Sequence, residues 1–137
     1  MHPDTQQVEM SKTQLWSARV MSALVVSFLL FDSALHLTKP PPVAEAFAKL
    51  GYPLSASVGI GLAELLCLAA YVIPQTAVLG GVLLTGLLGG AIATQVRAGN
   101  PAFEAYVFPT LLGVLLWGGV WLRDRRLRAL FPVRSRD

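Results

Sequence analysis

The apolar residues of this chain fall into four long blocks, which polar and Pro/Gly-rich stretches separate. A helix needs about 20 apolar residues to cross a hydrocarbon core of about 30 Å, and each block is long enough to do so. We therefore predict an all-α integral membrane protein whose single domain, residues 15–122, is a four-helix transmembrane bundle. The predicted spans are residues 15–37, 54–73, 76–96 and 105–122. Residues 1–14 and 123–137 form polar tails.

Composition favours the membrane over a soluble helical bundle. Of 137 residues, 54% are hydrophobic and 14% are charged, whereas soluble domains carry about 25% charged residues. The four blocks make up more than half of the chain, and no polar helix faces remain in them to cover a soluble surface. The first block could also be a signal peptide, since Arg19 precedes its apolar part, but no small-x-small cleavage site follows. An uncleaved first span fits better.

The distribution of lysine and arginine predicts the orientation, because cationic segments resist translocation. With four spans, the two tails and the second connection share one side of the membrane. That side carries Lys12, Arg19, Arg123, Arg125, Arg126, Arg128, Arg134 and Arg136, and the other carries Lys39, Lys49 and Arg97. Both termini are therefore predicted to be cytoplasmic in a multi-pass protein of the cytoplasmic membrane. The net charge of +3 then reflects lipid contact and not nucleic acid binding, and the basic tail suits anionic headgroups.

The first connection contains an amphipathic pattern. Val43, Phe47 and Leu50 share one face, Glu45 and Lys49 share the opposite one, prolines precede the segment and Gly51 follows it. We predict a short helix on the outer membrane face. It either caps the bundle or acts as a lid.

Small residues at intervals of four along the third span predict close helix packing. They form two neighbouring rows, and the packing residues are Gly81, Thr85, Gly86, Gly89 and Gly90. Such a flat side is expected for a helix that lies centrally against two neighbours. A homodimer through Gly86 and Gly90 would use the same signal. Pro109 removes a backbone donor early in the fourth span and is expected to bend it.

Several polar residues lie within the spans, where charge is costly unless it faces the bundle interior and is paired. At about 1.5 Å per residue, Asp32, His36, Gln95 and Arg97 reach similar depths, with Glu64 deeper. This predicts an outward-opening polar pocket. In a structural interpretation, Asp32 pairs with His36 or Arg97, and Glu64 donates a hydrogen bond to a neighbouring helix. In a functional one, the pocket is a proton-linked or quinone-type site.

Other redox chemistry has little support in the sequence. Cys67 is alone, so no thiol relay can form within the chain. His36 is the one histidine within the predicted spans, which excludes bis-histidine haem ligation within one chain. Asp32, His36 and Glu64 are acceptable metal-ligand types, but their spacing does not demand a site. We expect neither a haem nor a metal motif, and the cofactor remains open.

The stretches "LLFDSALHLTKPPPVAEAFAKLGYP", "GLAELLCLAAYVIPQTAVLGGVLLTGLLGGAIATQVRAGNP" and "LWGGVWLRDRRLRALFP" resemble the DoxX-like family of small four-helix bacterial membrane proteins. The resemblance covers roughly residues 15–132. It implies the inner membrane as location and membrane redox complexes, including quinone chemistry, as functional context. The positions that match the family pattern are Asp32, Lys39, Glu64 and Arg97, and we add Lys39 to the candidate pocket on this ground.

Three functions compete on these observations. The first is a redox-associated, accessory subunit that binds a quinone or similar amphiphile in the pocket and works with a redox protein. The second is a scaffold that recruits a soluble partner through the basic tail. The third is a small proton-coupled transporter acting as a dimer, although the inner half of the bundle lacks a comparable polar cluster. Whether the chain is an enzyme, and whether it forms oligomers, the sequence leaves open.

Overall fold

The computed structural model describes residues 10–132, and among them it contains helices and no strand. The α-helices are α1 (Lys12–Thr38), α2 (Pro41–Leu50), α3 (Ala56–Val72), α4 (Ala77–Arg97), α5 (Phe108–Arg123) and α6 (Arg125–Leu130). A 3₁₀ turn, Pro74–Thr76, precedes α4, and a π-helical turn, Phe103–Val107, precedes α5. The predicted all-α class is confirmed. Arg134, Arg136 and residues 1–9 lie outside the described residues.

Three helical stretches are long and apolar enough to cross a membrane, namely Lys12–Thr38, Pro74–Arg97 and Phe103–Arg123. The fourth apolar helix, Ala56–Val72, is shorter. Large apolar side chains cover the outside of these helices, and Leu66, for example, is 73% exposed. A soluble protein rarely exposes so continuous an apolar surface. The helices therefore indicate a membrane protein.

The ends of α1 are set by local capping. The Ser11 hydroxyl accepts a hydrogen bond from the backbone N–H of Gln14 at 3.2 Å, a typical N-cap contact. At the other end Lys39 takes a left-handed conformation, with φ of 51°, and its N–H binds the Leu35 carbonyl. Pro40 then prevents α1 from continuing, and Pro41 begins α2. The helix thus ends at Thr38, just after Asp32 and His36.

Helices α3 and α4 are antiparallel neighbours, as the short connection predicts. Pro74 ends α3, and the Thr76 hydroxyl donates to the Ala70 carbonyl at 2.7 Å, which closes the turn. Helix α1 packs against α3 and α5, and α4 packs against the same two helices. The four helices therefore follow one another around a ring in the order α1, α3, α4, α5. The expected packing of α4 against two neighbours is confirmed, but α4 is not central, because α1 also has two main neighbours.

The packing prediction for α4 holds for only part of the two glycine rows. Gly81 is buried, and a Cβ placed on it would lie 3.4 Å from the Trp117 ring of α5. Thr85 accepts a hydrogen bond from the Trp117 indole N–H at 2.8 Å and donates to the Gly81 carbonyl at 2.7 Å. The closest contact is at Gly80, which lies directly against the backbone of Tyr71 in α3.

The remaining predicted packing glycines do not pack against the part of the chain that the structure describes. A Cβ added at Gly86, Gly89 or Gly90 would meet nothing within 4 Å. A four-residue spacing identifies a flat helix face, but it does not show which face meets a neighbour. These glycines are thus free to border a cavity or to meet a second copy.

The fourth predicted span begins with the π-helical turn. Pro109 has no N–H, so it cannot donate to the carbonyl four residues earlier, at Ala105. The N–H of Phe108 binds the Phe103 carbonyl instead, one residue further back than in an α-helix. The predicted irregularity at Pro109 therefore takes the form of a wider turn, and the helical stretch starts at Phe103, two residues before the predicted 105.

Candidate functional site

A cavity of about 490 Å³ lies among α1, α3, α4 and α5 at the end where α2 crosses, which we call the α2 end. This end combines the last turns of α1 and α4 with the first turns of α3 and α5. Most of the wall is apolar, with Phe28, Leu84, Leu87, Phe108 and Leu112 among its residues. The polar side chains of the wall include Asp32, His36, Glu64, Thr94, Gln95 and Glu104. A space of this size and lining is typical of a small-molecule site.

Asp32 and His36 form the predicted pair, since they lie one helical turn apart on α1. The Nε2 atom of His36 is 3.4 Å from Oδ2 of Asp32. The His36 side chain is 18% exposed and that of Asp32 is 38% exposed. Of the two partners expected for Asp32, the structure selects His36 and not Arg97.

Ser57 of α3 binds the Nδ1 edge of the His36 ring. Its hydroxyl donates to the His36 backbone carbonyl at 2.8 Å, and the same oxygen lies 3.1 Å from His36 Nδ1. A hydroxyl has one hydrogen to donate. Ser57 must therefore accept from Nδ1–H, which places a ring proton on Nδ1 and directs Nε2 to Asp32.

Glu64 lies on the buried stripe of α3 and is 6% exposed. The Ser33 hydroxyl of α1 donates to its Oε2 at 3.0 Å. The predicted hydrogen bond to a neighbouring helix is therefore present, but its direction was wrong, because Glu64 accepts it. Gly61, one turn before Glu64, lets α1 and α3 approach, since a Cβ there would lie 2.9 Å from the Cβ of His36.

These contacts bring three ligand types together. Asp32, His36 and Glu64 each offer one atom within 4.8 Å of the other two. One imidazole nitrogen and two carboxylate oxygens can exchange protons with a bound molecule or bind a cation. We call these three residues the acid–histidine cluster.

Of the other predicted pocket residues, Gln95 lines the cavity and its side-chain oxygen accepts from the Asn100 amide. Lys39 is the exposed C-cap of α1 and is not part of the wall. Arg97 is also outside the wall. Its guanidinium donates to the Leu50 carbonyl at 2.8 Å and stacks over the Tyr52 ring at 5.8 Å. Arg97 therefore ties the end of α4 to α2.

Known proteins provide one decisive comparison. The model of the DoxX-like family matches residues 20–119, which include α3, α4 and most of α1 and α5. The chain belongs to the DoxX-like family. No curated protein and no solved structure matches it.

The DoxX-like match spans the whole acid–histidine cluster, together with two wall residues that the sequence did not assign to the pocket. Phe47 of α2 is buried, and its ring meets that of His36 edge to face at 5.6 Å. Glu104 of the π-helical turn reaches the cavity from the α5 side. The amphipathic pattern placed Phe47 on the inner face of α2, but nothing linked it to His36. Glu104 precedes the predicted fourth span, so its position in the sequence did not place it at the cavity.

Proposed function

We propose that this DoxX-like protein is a redox-associated membrane subunit that binds a quinone or a similar amphiphile in the cavity. The observation that supports it is the cavity itself, about 490 Å³ with apolar walls and the acid–histidine cluster at its α2 end. An apolar ring and tail suit such walls, and a few polar groups at one end would orient the head.

The cluster has the chemistry that a quinone head requires. Quinone oxygens accept hydrogen bonds and take up two protons together with two electrons when the quinol forms. Asp32, His36 and Glu64 can deliver or receive those protons. The electrons would come from a redox protein partner, which makes this chain an accessory subunit.

We further propose that α1, α3, α4 and α5 all cross the bacterial inner membrane. Helix α3 has 17 residues and is about 26 Å long at 1.5 Å per residue, slightly less than a hydrocarbon core of about 30 Å. Its outward side chains, such as Leu62 and Leu66, are apolar. The lysine and arginine bias supports cytoplasmic tails. The α2 end, and with it the cavity mouth, would then face outward.

Single-cysteine labelling tests this topology. In a Cys67→Ser background, Lys49→Cys on α2 should react with a membrane-impermeant maleimide in intact cells. Ala129→Cys on α6 should react only after permeabilisation, because it would lie on the cytoplasmic side. The reverse pattern, or labelling of both in intact cells, would contradict the proposed orientation.

Isothermal titration of the purified protein with a short-chain ubiquinone analogue tests the ligand. We expect Glu64→Gln and Asp32→Asn each to weaken binding at least about tenfold. A hydrogen bond to a charged group is worth about 1.5–3 kcal/mol, and 1.4 kcal/mol is about tenfold in affinity. Glu45→Gln is the matched control, since Glu45 is exposed on α2 and is not part of the wall.

The variants should keep the helical circular dichroism and the elution volume of the unmodified protein. Unchanged quinone affinity in both cavity variants, or no binding by the unmodified protein, would rule out the proposed ligand.

A further inference from the structure

The hydrogen bonds around His36 leave its Nε2 atom in an unusual position. Because Ser57 accepts the proton of Nδ1, a neutral ring presents the lone pair of Nε2 to the Asp32 carboxylate. A lone pair and a carboxylate are both acceptors and repel each other. Something positive must therefore lie between them, either a proton on Nε2 or a bound cation.

The distance between His36 and Asp32 fits a cation bound between them. The separation between His36 Nε2 and Asp32 Oδ2 is 3.4 Å, which is longer than a usual N–H···O hydrogen bond of about 2.7–3.2 Å. In a tetrahedral site with metal–ligand bonds of about 2.0–2.2 Å, neighbouring ligand atoms lie about 3.3–3.6 Å apart. Glu64 is within reach, because its ligand atom lies within 4.8 Å of the other two.

The charge of the cluster also favours a cation. Three carboxylates, those of Asp32, Glu64 and Glu104, line this end of the cavity, and among residues 10–132 the ion pair seen there joins Asp32 to His36. Arg97, the cation at a similar depth, instead binds the Leu50 carbonyl. Acidic groups in an apolar environment are normally paired or coordinate a metal.

From these observations we propose that Asp32, His36 and Glu64 bind one divalent metal ion of the zinc class. His36 would bind through Nε2 and each carboxylate through one oxygen. Three protein ligands leave a fourth position, which faces the cavity and can take water or a ligand oxygen. This site goes beyond the proposed quinone binding and does not depend on it.

The donor set discriminates among metals. Magnesium and calcium prefer six or more oxygen ligands, and the cluster offers two carboxylates and a nitrogen. Imidazole with carboxylates suits zinc, iron or cobalt. Zinc is therefore the probe for affinity, and cobalt is the probe for geometry because its visible spectrum reports tetrahedral coordination.

The experiment uses the full chain, purified in detergent without a histidine tag and treated with a chelator. Zinc is then titrated calorimetrically, and the bound metal is counted by mass spectrometry. We expect one zinc per chain, and an affinity at least about tenfold lower in His36→Gln, Asp32→Asn and Glu64→Gln. Loss of even an outer partner of a zinc ligand costs about 10–100-fold. His2→Ala is the control, because His2 is the other histidine of the chain.

Cobalt should give a tetrahedral spectrum that zinc abolishes and that disappears in Asp32→Asn. Zinc should also raise the thermal midpoint of the unmodified protein and of His2→Ala, which provides a second readout if one variant folds poorly. No zinc bound to the unmodified protein, or binding that His2→Ala removes while the cluster variants retain it, would overturn the site. The quinone titration is carried out with and without zinc, so that zinc binding and the proposed quinone binding are each judged on their own result.

Discussion

Gly80→Ala is expected to destabilise the protein by about 3 kcal/mol or more, the upper part of the range for overpacked cores. Gly80 of α4 lies directly on the backbone of Tyr71 and Ala70 in α3. A backbone cannot rotate away as a flexible side chain can, so the new methyl group must push the two helices apart. The turn at Pro74–Thr76 joins them closely and limits that movement.

Gly89→Ala is the matched control for this substitution, on the same helix. A Cβ at Gly89 meets nothing within 4 Å, and alanine favours a helix over glycine by up to about 1 kcal/mol. Thermal unfolding in detergent, followed by the fluorescence of the three tryptophans, compares the two. We expect a clearly lower midpoint for Gly80→Ala and an equal or higher one for Gly89→Ala. Equal midpoints would show that α3 and α4 do not meet at Gly80.

Gly90→Leu is expected to weaken quinone binding about tenfold without unfolding the protein. Gly90 is part of the cavity wall, and the space beside it is open. A leucine there would occupy room that the ligand needs. Exclusion of only two ligand methylene groups from apolar contact costs about 1.6 kcal/mol, which is slightly more than tenfold in affinity.

The neighbouring glycine again supplies the control. Gly89 has the same open surroundings but is not part of the wall, so Gly89→Leu should bind quinone as the unmodified protein does. Both variants are compared by the titration used for the Glu64 and Asp32 variants. Equal loss in both would indicate a general effect on α4, and no loss in Gly90→Leu would place the ligand elsewhere.

Much of the helical framework could be predicted because it depends on continuous apolar blocks. The first block was placed at residues 15–37 and the helix is Lys12–Thr38, and the third was placed at 76–96 and the helix is Ala77–Arg97. Proline and glycine mark the ends of these helices, so their boundaries are local properties. The short helix α2, Pro41–Leu50, was predictable for the same reason.

The depth of each polar residue in the membrane could be predicted from its position along a span. A regular rise per residue placed Asp32 and His36 at one level and Glu64 deeper, and the structure brings their side chains together. Depth does not determine the direction in which a side chain points, however. Arg97 lies at the same level as Asp32, but its guanidinium donates to the Leu50 carbonyl. Ser33 and Ser57, which hold Glu64 and His36, carry no distinctive sequence signal. Their roles follow from the rotation of α1 against α3, which only packing determines.

The π-helical turn before Pro109 bears on how relatives of this chain should be aligned. A π turn contains one residue more than the α-helical turn it replaces, and Glu104 lies within it. Removal of that residue would rotate everything on its N-terminal side by about 100° around the helix axis. A DoxX-like chain without a proline at this position would be expected to need a one-residue gap between 103 and 107. An ungapped alignment would then pair Glu104 with a residue that points away from the cavity.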